Sequence, residues 1–121
     1  MIRKPWGSEQ IIFEAGQARV KLLRVKPGKS LSEQYHRSKR EAMMLISGEA
    51  LLEHSCQQHN LIPGDIHHIR PGEVHRIHGV GKYEAVILEM AHGSDQDIVR
   101  LADDFGRSTQ PQQPTTGGNE Q

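Results

Sequence analysis

The sequence has 121 residues, and its 15 Lys plus Arg balance its 15 Asp plus Glu, which gives a formal net charge of zero. A chain of this length fits a single domain with one core, and without net charge it has no field that would attract nucleic acid or an acidic membrane surface. Aromatic residues are only 4% of the total, which further disfavours stacking on nucleic acid bases.

The cysteine content and the first residues indicate the compartment. Cys56 is the only cysteine, so no internal disulfide can form, and residues 1–10 lack the apolar segment of a secretory signal. No apolar run approaches the length that crosses a bilayer. We therefore expect a soluble, cytoplasmic protein that binds neither nucleic acid nor membrane.

Short apolar stretches recur along the chain, and turn-forming Gly and Pro interrupt them at intervals of about 8 to 12 residues. This rhythm predicts strands rather than long helices. The predicted strands are residues 9–14, 18–26, 31–36, 42–47, 49–55, 65–70, 74–79 and 84–90. Antiparallel hairpins joined by tight turns favour a jelly roll or a small barrel. We therefore predict one all-β domain over residues 1–107.

The C-terminal part of the sequence has two sections. Residues 97–107, DIVRLADDFGR, are compatible with a final short helix or with a strand that wraps the barrel, and the pattern does not choose between them. Residues 108–121 are rich in Gln, Pro, Gly and Thr and almost lack apolar side chains. Such a segment buries too little apolar surface to offset the entropy of ordering, so we predict a flexible tail.

A stretch between two glycines, residues 28–48, contains side chains that suit a metal ion. Gln34 and His36 are two apart in a predicted strand and therefore face the same side. Glu41 follows a short basic turn, which would return it to that face. A polar surface hairpin is the alternative interpretation of these residues.

A second stretch, residues 64–79, repeats this layout with a glycine, a strand, a Pro-Gly turn and then His75. Two imidazoles, one carboxylate and one amide oxygen suit a divalent ion such as zinc, iron(II), manganese or cobalt. The paired glycine framework therefore favours a metal site over the polar hairpin.

The two stretches resemble the two motifs of the cupin superfamily. The positions that match the first motif are Gly28, Gln34, His36, Glu41 and Gly48, with Gln34 where the motif usually has His. The positions that match the second motif are Gly64, Gly72 and His75, while Arg70 replaces the usual Pro and Gly79 the usual Asn.

Within the cupins, the chain is most similar to the C-terminal isomerase domain of type II phosphomannose isomerases, which also carry mannose-1-phosphate guanylyltransferase activity. The phrases that carry this likeness are KPWGSEQ (4–10), SEQYH (32–36), VHRIHG (74–79) and DIVRLADDFGR (97–107). The resemblance implies a double-stranded β-helix, the cupin jelly-roll barrel, and a metal-dependent mannose-6-phosphate isomerase that interconverts an aldose and a ketose phosphate.

The resemblance also implies roles for particular residues. The implied metal ligands are Gln34, His36, Glu41 and His75, with zinc as the first choice of metal. Arg107 is expected at the mouth of the active site, although it could instead pair with Asp103 or Asp104. No residue stands out as the base, and His78 is our catalytic candidate beside Arg107, with His68 as its alternative.

The basic turn supplies the candidates for substrate binding: Arg37, Lys39 and Arg40. A solvated surface turn is an equally good interpretation of these three residues. The family usually has HHHRAEHW where this chain has HRSKREAM, residues 36–43, so the natural sugar phosphate stays open. The alternative functions are a non-catalytic, sugar-binding or regulatory cupin and an iron(II) dioxygenase.

We also expect a homodimer. The predicted strand over residues 84–90, EAVILEM, is more apolar than an edge strand of a soluble monomer can expose. Pairing across a twofold axis would cover it.

Overall fold

A computed structural model describes residues 1–107, and the predicted tail over 108–121 lies outside the described residues. The described chain folds into eleven strands and no helix, so the all-β prediction is confirmed. None of residues 1–107 forms a helix that could span a membrane. The strands are β1 (Ile2–Lys4), β2 (Gly7–Ala15), β3 (Ala18–Val25), β4 (Glu33–Tyr35), β5 (Arg40–Ser47), β6 (Glu49–His54), β7 (Gln57–Asn60), β8 (Ile66–Ile69), β9 (His75–Val80), β10 (Ala85–His92) and β11 (Val99–Ala102).

The strands form two antiparallel sheets that enclose the core, as in a double-stranded β-helix. One sheet has six strands in the order β1-β2-β3-β10-β5-β8, and the other has five in the order β11-β4-β9-β6-β7. All eight predicted strands are present. The sequence missed two strands: β1, which has three residues and pairs with β2, and β7, whose residues QQHN carry no apolar side chain and pair in register with β6. The segment left open as helix or strand contains strand β11, which pairs with β4.

Side chains that alternate along β3, β5 and β10 divide the interior into an apolar half and a polar half. The apolar half is the core, and its members include Trp6, Leu23, Val25, Met43, Leu45, Leu52, Ile69, Ile77 and Ile87. The same inward-facing rows continue into charged residues: Lys21 on β3, Glu41 on β5 and Glu89 on β10. The strands that build the core therefore also carry the polar site.

One expectation about strand positions was wrong. Strand β10 is not at an edge, because it pairs with β3 on one side and with β5 on the other. The edge argument for a homodimer therefore fails, although the outward side chains of β10 are only half-buried. Met44, which alternates with the buried Met43 and Leu45, also faces outward.

Two glycines of the predicted framework show why the chain needs glycine there. Gly48 and Gly64 have φ angles of 79° and 91°, a region that L-residues with side chains rarely adopt. A Cβ on Gly48 would also lie 2.3 Å from the Glu84 carbonyl oxygen, whereas a Cβ on Gly64 would meet nothing within 4 Å. Gly48 therefore serves both the turn and the close approach of the chain before β10.

Replacing each of these glycines by Ala separates the two effects. We expect Gly64→Ala to lower the free energy of unfolding by about 1–2 kcal/mol, the cost of the left-handed backbone alone. Gly48→Ala should cost a further ~1–3 kcal/mol, because the backbone must move to relieve the clash. Urea denaturation of both variants measures the difference, and equal losses would contradict the close-approach argument.

Candidate metal centre

Three buried side chains converge in the polar half of the barrel. His36 follows β4, Glu41 lies on β5 of the facing sheet, and His75 begins β9. Their exposed fractions are 1%, 6% and 4%, and their ligand atoms all lie within 4.8 Å of one another. Glu41 Oε1 is 3.3 Å from the Nε2 atom of each histidine. The jelly roll thus brings together three of the four residues predicted from the motifs as ligands.

Backbone carbonyls orient both imidazole rings. His36 Nδ1 lies 2.6 Å from the carbonyl oxygen of Asp97, and His75 Nδ1 lies 3.0 Å from that of Glu73. A carbonyl only accepts hydrogen bonds, so each Nδ1 carries a proton, and each ring turns its Nε2 atom toward Glu41. His36 Nε2 is buried and makes no hydrogen bond of acceptable geometry.

This arrangement fits a divalent cation. The Nε2 atoms of two imidazoles and a carboxylate oxygen face one another at close range, and these are the atoms that would bind a divalent cation once the rings lose their Nε2 protons. Imidazole nitrogen and carboxylate oxygen are ligands of zinc, iron(II), manganese and cobalt. The donor set and the orphaned nitrogen of His36 therefore agree with a metal site.

Glu41 is held in its ionised form. Burial alone would raise the pKa of its carboxyl, but the two imidazoles and the Lys39 ammonium hold that pKa well below its usual range. Lys39 Nζ lies 3.2 Å from Glu41 Oε2, the oxygen that faces away from the histidines. Burial would lower the pKa of Lys39, yet the neighbouring charges of Glu41 and Glu89 keep it raised.

Gln34 lies beside the trio. It is the register partner of His75 on one side and of Arg100 on the other, so the three residues form a row across β9, β4 and β11. The amide nitrogen of Gln34 donates to the hydroxyl oxygen of Ser32 at 2.9 Å. The amide oxygen is therefore the end of the side chain available to a ligand.

A cavity of about 150 Å³ opens next to Glu41 and Gln34. Its charged lining residues are Lys4, Glu9, Lys21, Lys39, Glu41, Glu89, Asp95, Arg100 and Arg107. Most of these were not identified from the sequence. The available signal was a charged residue at an inward position of an apolar strand, as for Glu89 between Ile87 and Ala91.

An unbroken series of ion pairs follows one wall of this cavity. In order from the surface inward, its members are Lys4, Glu9, Lys21, Asp95, Lys39 and Glu41. The successive nitrogen to oxygen distances are 4.0, 3.2, 2.8, 3.5 and 3.2 Å. Each buried charge is thereby matched by an opposite one.

Glu89 stands apart from that series. It is buried beside Glu41, and burial and the negative charge of Glu41 raise its pKa well above the usual range, against the opposing effects of Lys39 and Lys21. Glu89 therefore holds its proton to a higher pH than an exposed glutamate does.

The basic turn is occupied by a carboxylate from its own chain. The backbone amides of Arg37, Ser38 and Lys39 all donate to the side chain of Asp97, at 2.8, 2.7 and 2.9 Å. These three amides would otherwise form a cradle for an anion. The Asp97 backbone carbonyl also accepts from His36, so one residue holds both the turn and a candidate ligand.

The predicted substrate-binding residues are dispersed. Lys39 lines the cavity, but its ammonium is already paired with Glu41 and Asp95. Arg37 is exposed at the turn, and Arg40 is exposed on the outer face of the six-stranded sheet. The structure therefore brings only one of the three to the cavity.

The two predicted catalytic residues differ in their placement. Arg107 lines the cavity, and its Nε donates to Asp103 at 2.8 Å, the pairing considered from the sequence. His78 is three residues from His75 in the same strand and therefore points to the opposite face, where Ser30 and Glu53 contact its ring at 2.5 and 2.8 Å. The prediction that His78 is catalytic disagrees with its position on the face opposite to His75.

Comparison with known proteins identifies the relatives of this chain. Residues 1–103 match the family described as mannose-6-phosphate isomerase, C-terminal. The chain is 32% identical over 121 residues to the alginate biosynthesis protein AlgA of Pseudomonas aeruginosa, covering 98% of this chain and 25% of AlgA. It is 30% identical over 109 residues to the mannose-1-phosphate guanylyltransferase of Escherichia coli K12, covering 88% of this chain and 23% of that protein.

The fold has a solved counterpart. A Klebsiella pneumoniae protein with a double-stranded β-helix domain superposes with a TM-score of 0.70 at 20% identity, over 84% of this chain and 86% of that one. The curated relatives are much longer, since this chain spans about a quarter of the length of AlgA. The chain therefore matches only about a quarter of AlgA and of the Escherichia coli protein.

Removing the carboxylate of Asp97 tests its hold on the basic turn. We expect Asp97→Ala to lower the free energy of unfolding by about 1–3 kcal/mol, because three backbone amides lose a charged acceptor. Hydrogen exchange should accelerate at the amides of residues 37–39. Asp104→Ala is the control, since Asp104 makes an exposed ion pair with Arg76 that is worth about 0–1 kcal/mol. Unchanged exchange at the turn in Asp97→Ala would contradict the anchoring role.

Proposed function

This chain belongs to the mannose-6-phosphate isomerase C-terminal family, and we propose that it is a metal-dependent isomerase that interconverts mannose 6-phosphate and its ketose isomer. The observation that carries this proposal is the convergence of His36, Glu41 and His75, of which Glu41 also lines a charged cavity. The names of its relatives, which include a mannose-1-phosphate guanylyltransferase, agree with a mannose phosphate as substrate.

In this proposal, His36, Glu41 and His75 hold a divalent ion, and the amide oxygen of Gln34 completes the set. Zinc is the first choice, and manganese, iron or cobalt would suit the same ligands. When bound, such an ion supplies a positive charge that stabilises negative charge developing on the substrate oxygens. The carbonyls of Asp97 and Glu73 keep both imidazoles turned toward it.

We assign the substrate phosphate to Arg100 and Arg107. Both line the cavity, and burial together with the nearby charge of Arg107 lowers the pKa of Arg100. Two neighbouring guanidinium groups are best compensated by a dianion, which they can bind through paired hydrogen bonds. Lys39 and Lys21 also line the cavity, and carboxylates pair with them as Asp103 pairs with Arg107.

Isomerisation of an aldose to a ketose moves a proton between adjacent carbons, which requires a group that accepts and returns it. Among the cavity carboxyls of residues 1–107, Glu9 and Asp95 are paired with lysines, and Glu41 is assigned to the metal. Glu89 remains, and it lines the cavity beside Glu41. We therefore assign proton transfer to the Glu89 carboxylate oxygens in place of His78.

Two histidines and one carboxylate are also the iron ligands of iron(II) oxygenases, so the activity assay below also tests this alternative. An isomerase turns over without oxygen, whereas an oxygenase consumes it. A non-catalytic, sugar-binding cupin would bind mannose 6-phosphate without converting it.

Loss of one imidazole tests the metal assignment. We expect His75→Ala to weaken zinc or manganese binding by more than about 100-fold, because even a residue that only orients a metal ligand contributes about 10–100-fold. Titration calorimetry and metal analysis of the purified protein provide the measurement. His68→Ala is the matched control, because His68 is exposed on the outer face of the sheet. Equal metal content in the two variants would rule out the trio as the site.

Glu89→Gln tests the proton-transfer assignment. We expect this variant to keep its metal and to lose about 10²–10⁴-fold in kcat with mannose 6-phosphate, the usual contribution of a general acid or base. His78→Ala should keep the activity of the unaltered protein, because His78 faces away from the cavity. The reverse ranking of the two variants would restore His78 as the base.

The same assay in the absence of oxygen separates the functions. Conversion of mannose 6-phosphate by the metal-loaded, unaltered chain supports the isomerase. Binding without conversion would support the sugar-binding alternative and reject the isomerase. Oxygen consumption that depends on iron would indicate the oxygenase.

A further inference from the structure

One face of the molecule is apolar and has no partner within residues 1–107. It is the outer face of the six-stranded sheet, and we call it the outer apolar face. The registers of β3, β10, β5 and β8 align a row of side chains across it: Leu22, Leu88, Met44 and Ile66. A second row contains Phe13, Val20, Met90 and Ala42. All of these side chains are half-buried or exposed.

The size of this face is that of the largest apolar patch on a soluble protein. Four or five strands about 4.8 Å apart, each contributing about five residues at about 3.3 Å, present roughly 400 Å² in projection. The largest apolar patch on a soluble monomer is about 300–600 Å² and is often functional. A specific dimer buries about 800 Å² on each partner, with an apolar centre and a polar rim. The face therefore supplies the apolar centre that a dimer interface needs.

We propose that the outer apolar face binds a second copy of this chain across a twofold axis. Neither row carries a Lys, Arg, Asp or Glu, and each has one polar end, at Gln10 on β2 and at His68 on β8, so the apolar centre can pack against its own copy without an oppositely charged partner. Isologous pairing of one patch with itself is the commonest form of association between identical chains.

The shape of the outer apolar face and the charges at its ends agree with one orientation of the twofold axis. Ile46, which is 45% exposed, lies at one end of β5, and a depression of about 310 Å³ lies at the other end beside Ala42. An axis in the plane of the face, perpendicular to the strands and near Leu88, would bring Ile46 of each copy over the depression of the other. The same rotation would bring the exposed Arg40 toward Glu84 of the second copy.

The face is separate from the cavity. On β5 and β10, Glu41 and Glu89 point inward while Met44 and Leu88 point outward. Association through the outer face would therefore leave the cavity open. It would also hold β5, which carries a candidate metal ligand, between two packed layers.

Light scattering and sedimentation of the full chain over a wide range of concentrations test the proposal. The unaltered chain is expected at twice its chain mass of 13.6 kDa. Leu88→Glu places a charge at the centre of the interface and should raise the dissociation constant by more than about 30-fold, as for a central hot-spot residue. A monomeric unaltered chain overturns the proposal and would leave the face for a different protein or for another part of a longer chain.

Two further variants protect this test against misfolding. Ile46→Lys changes a side chain that is already exposed, so the fold should tolerate it and the dimer should still weaken. Ile62→Lys makes the same change at a loop residue that is 61% exposed and outside the face. We expect it to remain dimeric. Equal behaviour of the two variants, whether both dimeric or both monomeric, would reject the outer apolar face as the interface.

Discussion

The buried negative charge of Glu41 is the constraint around which the polar half of the barrel is organised. A carboxylate with almost no exposure is costly unless cations and hydrogen-bond donors surround it. Lys39 compensates one of its oxygens, but the buried ammonium of Lys39 then requires a further carboxylate. That need continues through Asp95 and Lys21 to Glu9 near the surface. The ion pairs along the cavity wall are thus a consequence of keeping one glutamate ionised inside a small barrel.

The period of two along a strand links this polar site to the rest of the fold. A strand of the large sheet such as β5 places Met43 and Leu45 in the core, Glu41 in the cavity and Met44 on the outer apolar face. The packing of Met43 and Leu45 in the core therefore fixes the position of Glu41 along the barrel. The register between β4 and β9 fixes His75 opposite Gln34. A shift by one residue would exchange the inner and outer faces, so the site and the core depend on the same pairing.

The parts of the structure that depend on local pattern could be predicted from the sequence. Strand rhythm and turn glycines gave the all-β fold, and the spacing of Gln34 and His36 gave their common face. The alternation of side chains along a strand also predicts that His78 faces away from the site, because it lies three positions from His75. Other features depend on contacts between distant segments. Asp97 reaches the turn at residues 37–39 across 60 positions of sequence, and no local pattern announces it. The central position of β10 is equally a property of the topology.

The capture of the basic turn by Asp97 changes which residues suit an anionic substrate. With its amides bound to a carboxylate, the turn offers a phosphate only exposed side chains such as Arg37. Arg100 and Arg107 lie instead in the cavity wall, where two like charges disfavour each other while water is partly excluded. Asp103 offsets part of that repulsion by pairing with Arg107. In the proposed function, a phosphate dianion would offset more of it, which is a reason to propose a phosphorylated sugar rather than a neutral one as the substrate.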